Sequence, residues 1–202
     1  MDAVFRTYLE LGFHHIVSWR ATDHLTFLLA LCAPYVLADW RRVLELVTSF
    51  TLGHSLTLAL ATLGVVVLPT TVIETLIPIT IIGAAIFNLT RAGRPRLVGS
   101  GPAPVGRGTG ALVLAAGFGL IHGLGFSNYL RALLGNQARP VAELLAFNIG
   151  VEIGQLLVVV VLLSLALLLH RLLRVSPRDW LLISSGAALG LGLLLLLQLL
   201  TA

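Results

Sequence analysis

The chain has 202 residues, of which 57% are hydrophobic and only 11% charged, and its mean hydropathy is +0.99. This composition lies outside the range of soluble globular domains and predicts an all-α integral membrane protein. The 13 basic residues are all arginines, most of them in loops between apolar segments, which indicates membrane orientation rather than a nucleic-acid-binding surface.

Residues 1–21 predict a short amphipathic helix that precedes the first span. Apolar side chains recur at helical spacing from Val4 to Val17, but the charged residues among them make the stretch too polar to cross a bilayer. We expect this helix to lie in the membrane interface or to re-enter the membrane from one side, with Trp19 at headgroup level. No apolar core with a cleavage site follows a basic start, so we expect no cleavable signal peptide.

About six apolar segments long enough to span a membrane follow. At about 1.5 Å per residue, roughly 18 residues cross a hydrocarbon core of about 30 Å. We predict spanning helices over residues 22–40, 43–68, 72–89, 111–134, 141–169 and 180–200. Residues 90–110 are rich in Gly, Pro and Arg and predict a linker between two halves of three spans each, 22–89 and 111–202, within a single membrane domain.

The arginines predict the orientation in the membrane. Four lie on one side, Arg6, Arg20, Arg131 and Arg139, and nine of the 13 on the other: Arg41, Arg42, Arg91, Arg94, Arg96, Arg107, Arg171, Arg174 and Arg178. The positive-inside rule places the second set and the linker in the cytoplasm and both termini on the non-cytoplasmic side. The use of Arg without Lys, with abundant Ala, Leu and Gly, indicates a GC-rich bacterial genome and hence the bacterial inner membrane.

Ionisable side chains inside the apolar segments are the first candidate site. His54, His122 and Glu152 each lie about 11 residues into a predicted span and therefore near mid-depth. Two imidazoles and a carboxylate at one level suit a divalent first-row metal ion. Cys32 is the only cysteine, which excludes a thiolate zinc site. A lone buried histidine is as often a hydrogen-bonded core residue, but the shared depth favours a metal site.

A second polar group lies around the start of the first predicted span and contains His14, His15, Asp23 and His24. On one continuous helix His15 and Asp23 would be about 12 Å apart, so they can share an ion only if the chain bends between Trp19 and Thr22. We interpret the group as an outer site that feeds the mid-membrane site along a permeation path. The residues that could line this path are Ser55, Glu74, Asn148 and Gln155, although Glu74 also suits a helix start.

A short repeat is visible in the apolar segments. Phe-x-Leu-x-His-x-Leu occurs at residues 50–56 and again at 118–124, each followed one span later by a glutamate, Glu74 or Glu152. The pattern indicates a duplicated transporter core, with a chance match in a leucine-rich chain as the alternative.

Four motifs contain the polar residues described above: His14-His-Ile-x6-Asp23-His24-Leu-x-Phe-Leu-Leu, Phe50-Thr-Leu-Gly-His54-Ser-Leu-Thr-Leu, Phe118-Gly-Leu-Ile-His122-Gly-Leu-Gly-Phe and Ala146-Phe-Asn-Ile-Gly-Val-Glu152-Ile-Gly-Gln. Together they resemble the HupE/UreJ family of hydrogenase and urease accessory membrane proteins, over nearly the whole chain. The first two motifs are also similar to signatures of the nickel and cobalt permeases. This resemblance implies metal uptake with His15, Asp23, His24 and His54 as metal-binding residues. The permeases have a glutamate near the later histidine, whereas His122 has none, and Glu152 would take that place from the next helix.

The leading hypothesis is a permease for a divalent transition metal, nickel first with cobalt or copper behind it, and not an enzyme. One alternative is an intramembrane hydrolase in which the same His/Glu cluster holds zinc and Glu152 acts as the base. The other is a non-transporting accessory subunit of a metalloenzyme system. The expected partners are the lipid bilayer and the metal ion, with no nucleic acid. Small residues in the last span, Gly186, Gly190 and Gly192, suggest a homo-oligomer.

Overall fold

A computed structural model describes residues 3–19, 21–92, 109–135 and 140–201. Over these ranges the chain is helical, with one 3-10 turn at Leu37–Asp39 and no strand. The α-helices in chain order are α1 Ala3–Val17, α2 Thr22–Cys32, α3 Trp40–Thr62, α4 Thr70–Ala92, α5 Thr109–Gly125, α6 Ser127–Leu134, α7 Val141–Leu172 and α8 Pro177–Thr201. The all-helical prediction is therefore confirmed for these residues. The predicted linker lies mostly outside them, at residues 93–108.

Four helices are long and apolar enough to cross a membrane individually. They are α3 with its preceding 3-10 turn, α4, α7 and α8, which have 21 to 32 residues. Helices α5 and α6 meet at an angle of 48° and make a fifth crossing if they form one broken span. The described ranges therefore hold four or five candidate spans, and these helices do not confirm the predicted count of about six.

The first predicted span, residues 22–40, is not one continuous helix. Helix α2 has 11 residues and ends at Cys32. Pro34 follows closely, and because proline has no N–H and crowds the preceding turn, the helix does not continue. At about 1.5 Å per residue α2 covers about 16 Å, roughly half of the bilayer core.

Two other predicted spans also have different ends. The helix predicted over residues 43–68 ends at Thr62, because Gly64 adopts a φ of 77° and the Val65 N–H bonds back to the Leu60 carbonyl. The helix predicted over 111–134 is broken at Phe126 into α5 and the strongly amphipathic α6. The predicted helices over 72–89, 141–169 and 180–200 correspond to α4, α7 and α8.

Helices α3 and α5 run parallel in direct backbone contact. A Cβ at Gly119 would overlap the carbonyl oxygen of Phe50, and one at Gly53 would overlap that of Ala116. Only glycine permits such an approach, as in other closely packed membrane helices. The contact fixes the relative positions of the two helices that bear His54 and His122.

Helix α1 packs parallel to the first part of α7 in the same manner. A Cβ at Gly12 would overlap the carbonyl of Phe147, and one at Gly150 would overlap that of Leu9. Further along both helices, Gly154 lies against Phe13. This packing attaches α1 to a spanning helix, and it does not confirm the predicted interfacial or re-entrant placement.

Two further contacts complete the bundle. Helix α7 crosses α3 in the antiparallel direction, because Thr48 bonds to Glu152 whereas Ser55 bonds to Asn148. Helix α8 packs against α4, where Gly192 lies close to the side chains of Ile81 and Ile82. Gly192 therefore faces its own chain, and the predicted homo-oligomer stays a prediction.

Candidate metal centre

The last turn of α1 carries two adjacent histidines. Neighbouring residues on an α-helix point about 100° apart, so the two side chains face different surroundings. The His15 ring centroid lies 4.6 Å from that of His24 and 6.1 Å from that of His54. The His14 side chain is exposed and contacts Phe13 edge-on, at 5.5 Å. The structure brings His15, but not His14, to the other predicted residues.

The first turn of α2 carries Asp23 and His24 side by side. His24 is buried, and its Nδ1 lies 3.0 Å from Asp23 Oδ1. An ionised carboxylate only accepts hydrogen bonds, so Nδ1 of His24 carries the proton. Nε2 of His24 is buried and has no hydrogen-bond partner in the described part of the chain. It is therefore the nitrogen available to a ligand.

Helices α3 and α5 supply the two most deeply buried histidines. His54 is completely buried, and neither of its ring nitrogens has a hydrogen-bond partner among the residues of the described ranges. His122 is also completely buried. Its Nε2 lies 3.0 Å from Thr80 Oγ1 on α4, whereas its Nδ1 has no partner within the same ranges.

These side chains form one cluster with two overlapping ligand groups. Ligand atoms of His15, His24 and His54 lie within 4.8 Å of one another, and so do those of Asp23, His24 and His122. We call these five residues the histidine cluster. His24 belongs to both groups, and small side-chain adjustments would bring either group to metal-bonding distance.

The donor chemistry of the histidine cluster fits a divalent first-row metal ion. Buried polar atoms in native proteins normally have partners, so several unpaired ring nitrogens within one buried cluster point to a shared ligand. Neutral imidazole suits nickel, cobalt, copper and zinc, and the Asp23 carboxylate offsets part of the charge of the ion. The residues present can therefore hold the kind of ion predicted from the sequence.

The predicted outer and mid-membrane sites lie together. Helix α1 ends at Val17 and α2 begins at Thr22, so the bend predicted between these helices is present. The last turn of α1 and the first turn of α2 both lie beside His54. The Asp23-His24 pair is therefore in the same cluster as His54 and His122 and does not form a separate site.

Glu152, predicted at the depth of His54, lies outside both ligand groups. Its Oε1 accepts a hydrogen bond of 2.8 Å from Thr48 on α3. Its Oε2 is buried and has no partner among the residues that the structure describes. Glu152 therefore offers one free carboxylate oxygen at the interface between α3 and α7.

Three of the four predicted path-lining residues lie at the same interface. Ser55 donates a hydrogen bond of 2.7 Å to Asn148 Oδ1, and Thr51 Oγ1 lies 2.6 Å from Gln155 Oε1. Together with Thr48 and Glu152 these residues form what we call the α3–α7 polar row. The fourth residue, Glu74, is exposed on α4 and does not belong to it.

Comparison with known proteins identifies the family. A family model described as HupE / UreJ protein matches residues 1–200. The chain belongs to the HupE/UreJ family. No curated protein and no solved structure matches it. The resemblance found in the four motifs is therefore confirmed, and it extends over essentially the whole chain.

Sequence reasoning missed two residues that touch the cluster of this HupE/UreJ chain. The Phe126 ring lies 4.2 Å from that of His15, and Thr80 contacts His122. Phe126 ends the motif that contains His122, so its spacing of four residues was an available signal. Thr80 had no comparable signal, because its contact joins α4 to α5 across 42 residues.

Aromatic rings also border His122. The Phe27 and Phe50 ring centroids lie 5.1 Å and 5.3 Å from that of His122, and both side chains are fully buried. Such rings keep water away from the ligand atoms, so each metal–ligand bond acts in surroundings of low polarity.

Proposed function

We propose that this HupE/UreJ chain is a membrane permease for a divalent transition-metal cation, with nickel as the preferred substrate and cobalt or copper next. The observation that carries the proposal is the histidine cluster, in which His15, His24, His54 and His122 come from four helices, lie in two overlapping ligand groups and have buried ring nitrogens without hydrogen-bond partners among the described residues. The association of the family with nickel and cobalt handling supports it. The ion is the cargo of the protein.

The donors of the cluster select by chemical type. Magnesium and calcium prefer six or more oxygen ligands, whereas imidazole suits nickel, cobalt, copper and zinc. The cluster offers four imidazoles and one carboxylate. A late first-row ion that sheds part of its hydration shell gains strong ligands here, and an alkaline-earth ion does not.

His24, which belongs to both ligand groups, lets a metal ion pass from one group to the other. An ion held by His15, His24 and His54 can move to Asp23, His24 and His122 while it stays bound to His24. Conduction requires binding that is favourable enough for the ion to enter and spread over several weaker sites so that the ion can leave. Two overlapping groups meet that requirement better than one closed site.

We place the next ligands of the path in the α3–α7 polar row. Thr48 and Glu152 mark its end nearest the start of α3, where the predicted cytoplasmic residues Arg41 and Arg42 lie. The free Oε2 of Glu152 provides a hard oxygen ligand after the imidazoles of the cluster. An ion that leaves the cluster in this direction moves toward the cytoplasm.

We further propose that α1 and α2 together form one broken crossing. Helix α1 runs parallel to α7. Helix α2 runs parallel to α4, because His24 and Thr80 both contact His122 and, further along both helices, Asn88 bonds to the Ala30 carbonyl. Helix α7 is antiparallel to α3, and α4 is antiparallel to α5. Because α3 and α5 are parallel, α4 and α7 run in the same direction. Therefore α1 and α2 also share that direction.

The broken crossing brings the number of spans to six. Its interruption lies at the histidine cluster, as in transporters whose discontinuous helices form the ion site. Six crossings place both termini on one side, which the arginine distribution assigns to the non-cytoplasmic side of the bacterial inner membrane. The segment 93–108 between α4 and α5 then lies in the cytoplasm.

Uptake of Ni²⁺ into proteoliposomes tests the proposed function. The substitution His54→Ala removes a completely buried donor, and we expect uptake to fall to the level of protein-free liposomes. His170→Ala is the matched control, because His170 lies near the end of α7, bonds to the Val175 carbonyl and belongs to neither ligand group. Equal uptake by the wild type and His54→Ala would contradict the proposal.

Elemental analysis of the purified protein separates the alternatives. A permease purifies with exchangeable metal below one equivalent. One tightly bound zinc per chain, together with hydrolysis of a lipid or peptide, would support the hydrolase. Absence of uptake by the wild type, together with a copurifying metalloenzyme component, would support the accessory role.

A further inference from the structure

Thr80 lies outside the histidine cluster and hydrogen-bonds to the buried imidazole of His122. It lies on α4, is 5% exposed, and places Oγ1 3.0 Å from His122 Nε2. The same Oγ1 lies 2.7 Å from the carbonyl oxygen of Ile77, one turn earlier on α4. Pro78, between them in the chain, is the proline inside this helix.

The hydrogen count at Thr80 determines the form of the imidazole. A hydroxyl has one proton, and a carbonyl oxygen can only accept a hydrogen bond. The Thr80 proton therefore goes to Ile77 O, and Oγ1 is left as an acceptor toward His122. Consequently Nε2 of His122 carries the ring proton, and Nδ1 keeps its lone pair.

Nδ1 is the ring nitrogen of His122 that is free to bind a ligand. Nδ1 of His122 is buried without a hydrogen-bond partner in the described ranges, and His122 shares a ligand group with Asp23 and His24. A histidine ligand normally donates its second ring N–H to an acceptor, which fixes both tautomer and orientation. Thr80 is in position to be that acceptor.

We propose that Thr80 is a positioning residue of the metal site, which holds His122 as the Nε2–H tautomer so that Nδ1 binds the cation. This inference rests on the proposed function. Asp23 acts on His24 in the corresponding way, with Nδ1 protonated and Nε2 directed to the ligand. In the ligand group of Asp23, His24 and His122, each histidine is thus held in one tautomer by a hydrogen-bond acceptor, His24 by Asp23 and His122 by Thr80.

A purely structural role for Thr80 makes a different prediction. Threonine hydroxyls often bond to a carbonyl of the preceding turn without further consequence. Thr75 on α4 does so, with a bond of 2.7 Å to the Thr71 carbonyl and no cluster contact. Thr75→Val is therefore the matched control for Thr80→Val, since both changes remove a hydroxyl from the same helix at nearly constant volume.

Two measurements on the full chain in lipid test the role of Thr80. The first is Ni²⁺ binding by isothermal titration calorimetry, in which we expect Thr80→Val to weaken binding about 10- to 100-fold, the usual effect of losing a partner of a ligand histidine. Thr80→Ser keeps the acceptor and is expected to restore wild-type affinity. Thr75→Val is expected to match the wild type.

The second measurement reads the tautomer directly. ¹⁵N NMR of metal-free protein labelled in histidine, with the signal assigned by comparison with His122→Gln, should show only the Nε2–H form in the wild type and in Thr80→Ser. A mixture of tautomers is expected in Thr80→Val. A merely structural loss would leave the tautomer unchanged.

The outcomes are distinguishable from failure of the proposed function. If wild-type protein binds Ni²⁺ but Thr80→Val has the same affinity or the same tautomer as the wild type, the inference about Thr80 is wrong. If wild-type protein binds no Ni²⁺, the proposed function itself is wrong, and the role of Thr80 at a metal site is lost with it.

Discussion

His14 and His15 are neighbours in the chain, yet only His15 lies in the histidine cluster. The His14 ring is exposed beside Phe13, whereas Nε2 of His15 is buried and unpaired within the described part of the chain. The helical rotation between the two residues creates this difference. The same histidine-to-alanine substitution can therefore be made at His15, inside the proposed site, and at His14, outside it.

We expect His15→Ala to weaken Ni²⁺ binding at least about tenfold, because it removes a donor of one ligand group. His14→Ala should leave the dissociation constant unchanged. Calorimetric titration of the two variants in the same lipid provides the measurement. Equal losses in both, or weaker binding only in His14→Ala, would show that the site is not the one described.

Sequence alone predicted the cluster members better than their surroundings. His54, His122 and the Asp23-His24 pair were visible because ionisable groups are costly within apolar segments. The assignment of Glu152 to the same site depended on equal depth alone, and depth does not fix which face of a helix carries a residue. Contacts such as that of Thr80 with His122 depend on how α4 packs against α5, which no local pattern encodes.

At the scale of helices, glycine determines how closely α3 and α5 approach. Gly119 lies against the backbone of α3, whereas Gly117, two residues earlier on the same helix, has open space around its Cβ position. Rigid backbone atoms cannot move aside in the way a flexible side chain can. The same substitution at these two sites should therefore have opposite effects.

We expect Gly119→Ala to lower the free energy of unfolding by about 1–3 kcal/mol through overpacking, and to weaken metal binding because His54 and His122 move apart. Gly117→Ala should be neutral or slightly stabilising, since alanine favours the helix by about 0.5–1 kcal/mol over glycine. Unfolding midpoints in one detergent compare the two. A midpoint for Gly119→Ala equal to that of the wild type would contradict the close contact.

Hydropathy predicted most helices but not their interruptions. The long apolar segments became α3, α4, α7 and α8, because burial of backbone groups in lipid requires helix there. The end of α2 lies inside an apolar run, whereas at the break between α5 and α6 the sequence changes from an apolar segment to the amphipathic Ser127–Leu134. Pro34 was the available signal for the first, and the polar residues from Ser127 onward were the signal for the second.

At the scale of the whole molecule, the number of crossings determines where the termini lie. Four or five helices qualify as spans by length and composition, and the broken pair α1 and α2 adds one more in our proposal. The sequence predicted about six from segment lengths alone. It could not predict that the second polar group lies on two short helices that meet at the histidine cluster.

We expect alkaline phosphatase fused after Ala202 to be active and green fluorescent protein at the same position to be dark, because both termini lie outside the cytoplasm when six crossings are present. An epitope tag before Met1 should be accessible from the same side. Matched fusions within the segment 93–108 should show the reverse pattern. A fluorescent C-terminal fusion would indicate an odd number of crossings or the opposite orientation.

The glycine contacts between helices hold some of the five donors of the histidine cluster more firmly than others. His54 and His122 sit on a frame whose halves cannot slide past each other while Gly53 and Gly119 stay engaged. His15 lies on α1, which glycine contacts hold against α7 in the same way, whereas Asp23 and His24 lie in the first turn of the short helix α2. A tilt of α2 alone is therefore enough to take two donors, Asp23 and His24, from the ion, with α3 and α5 not displaced and the spacing of their two imidazoles unchanged.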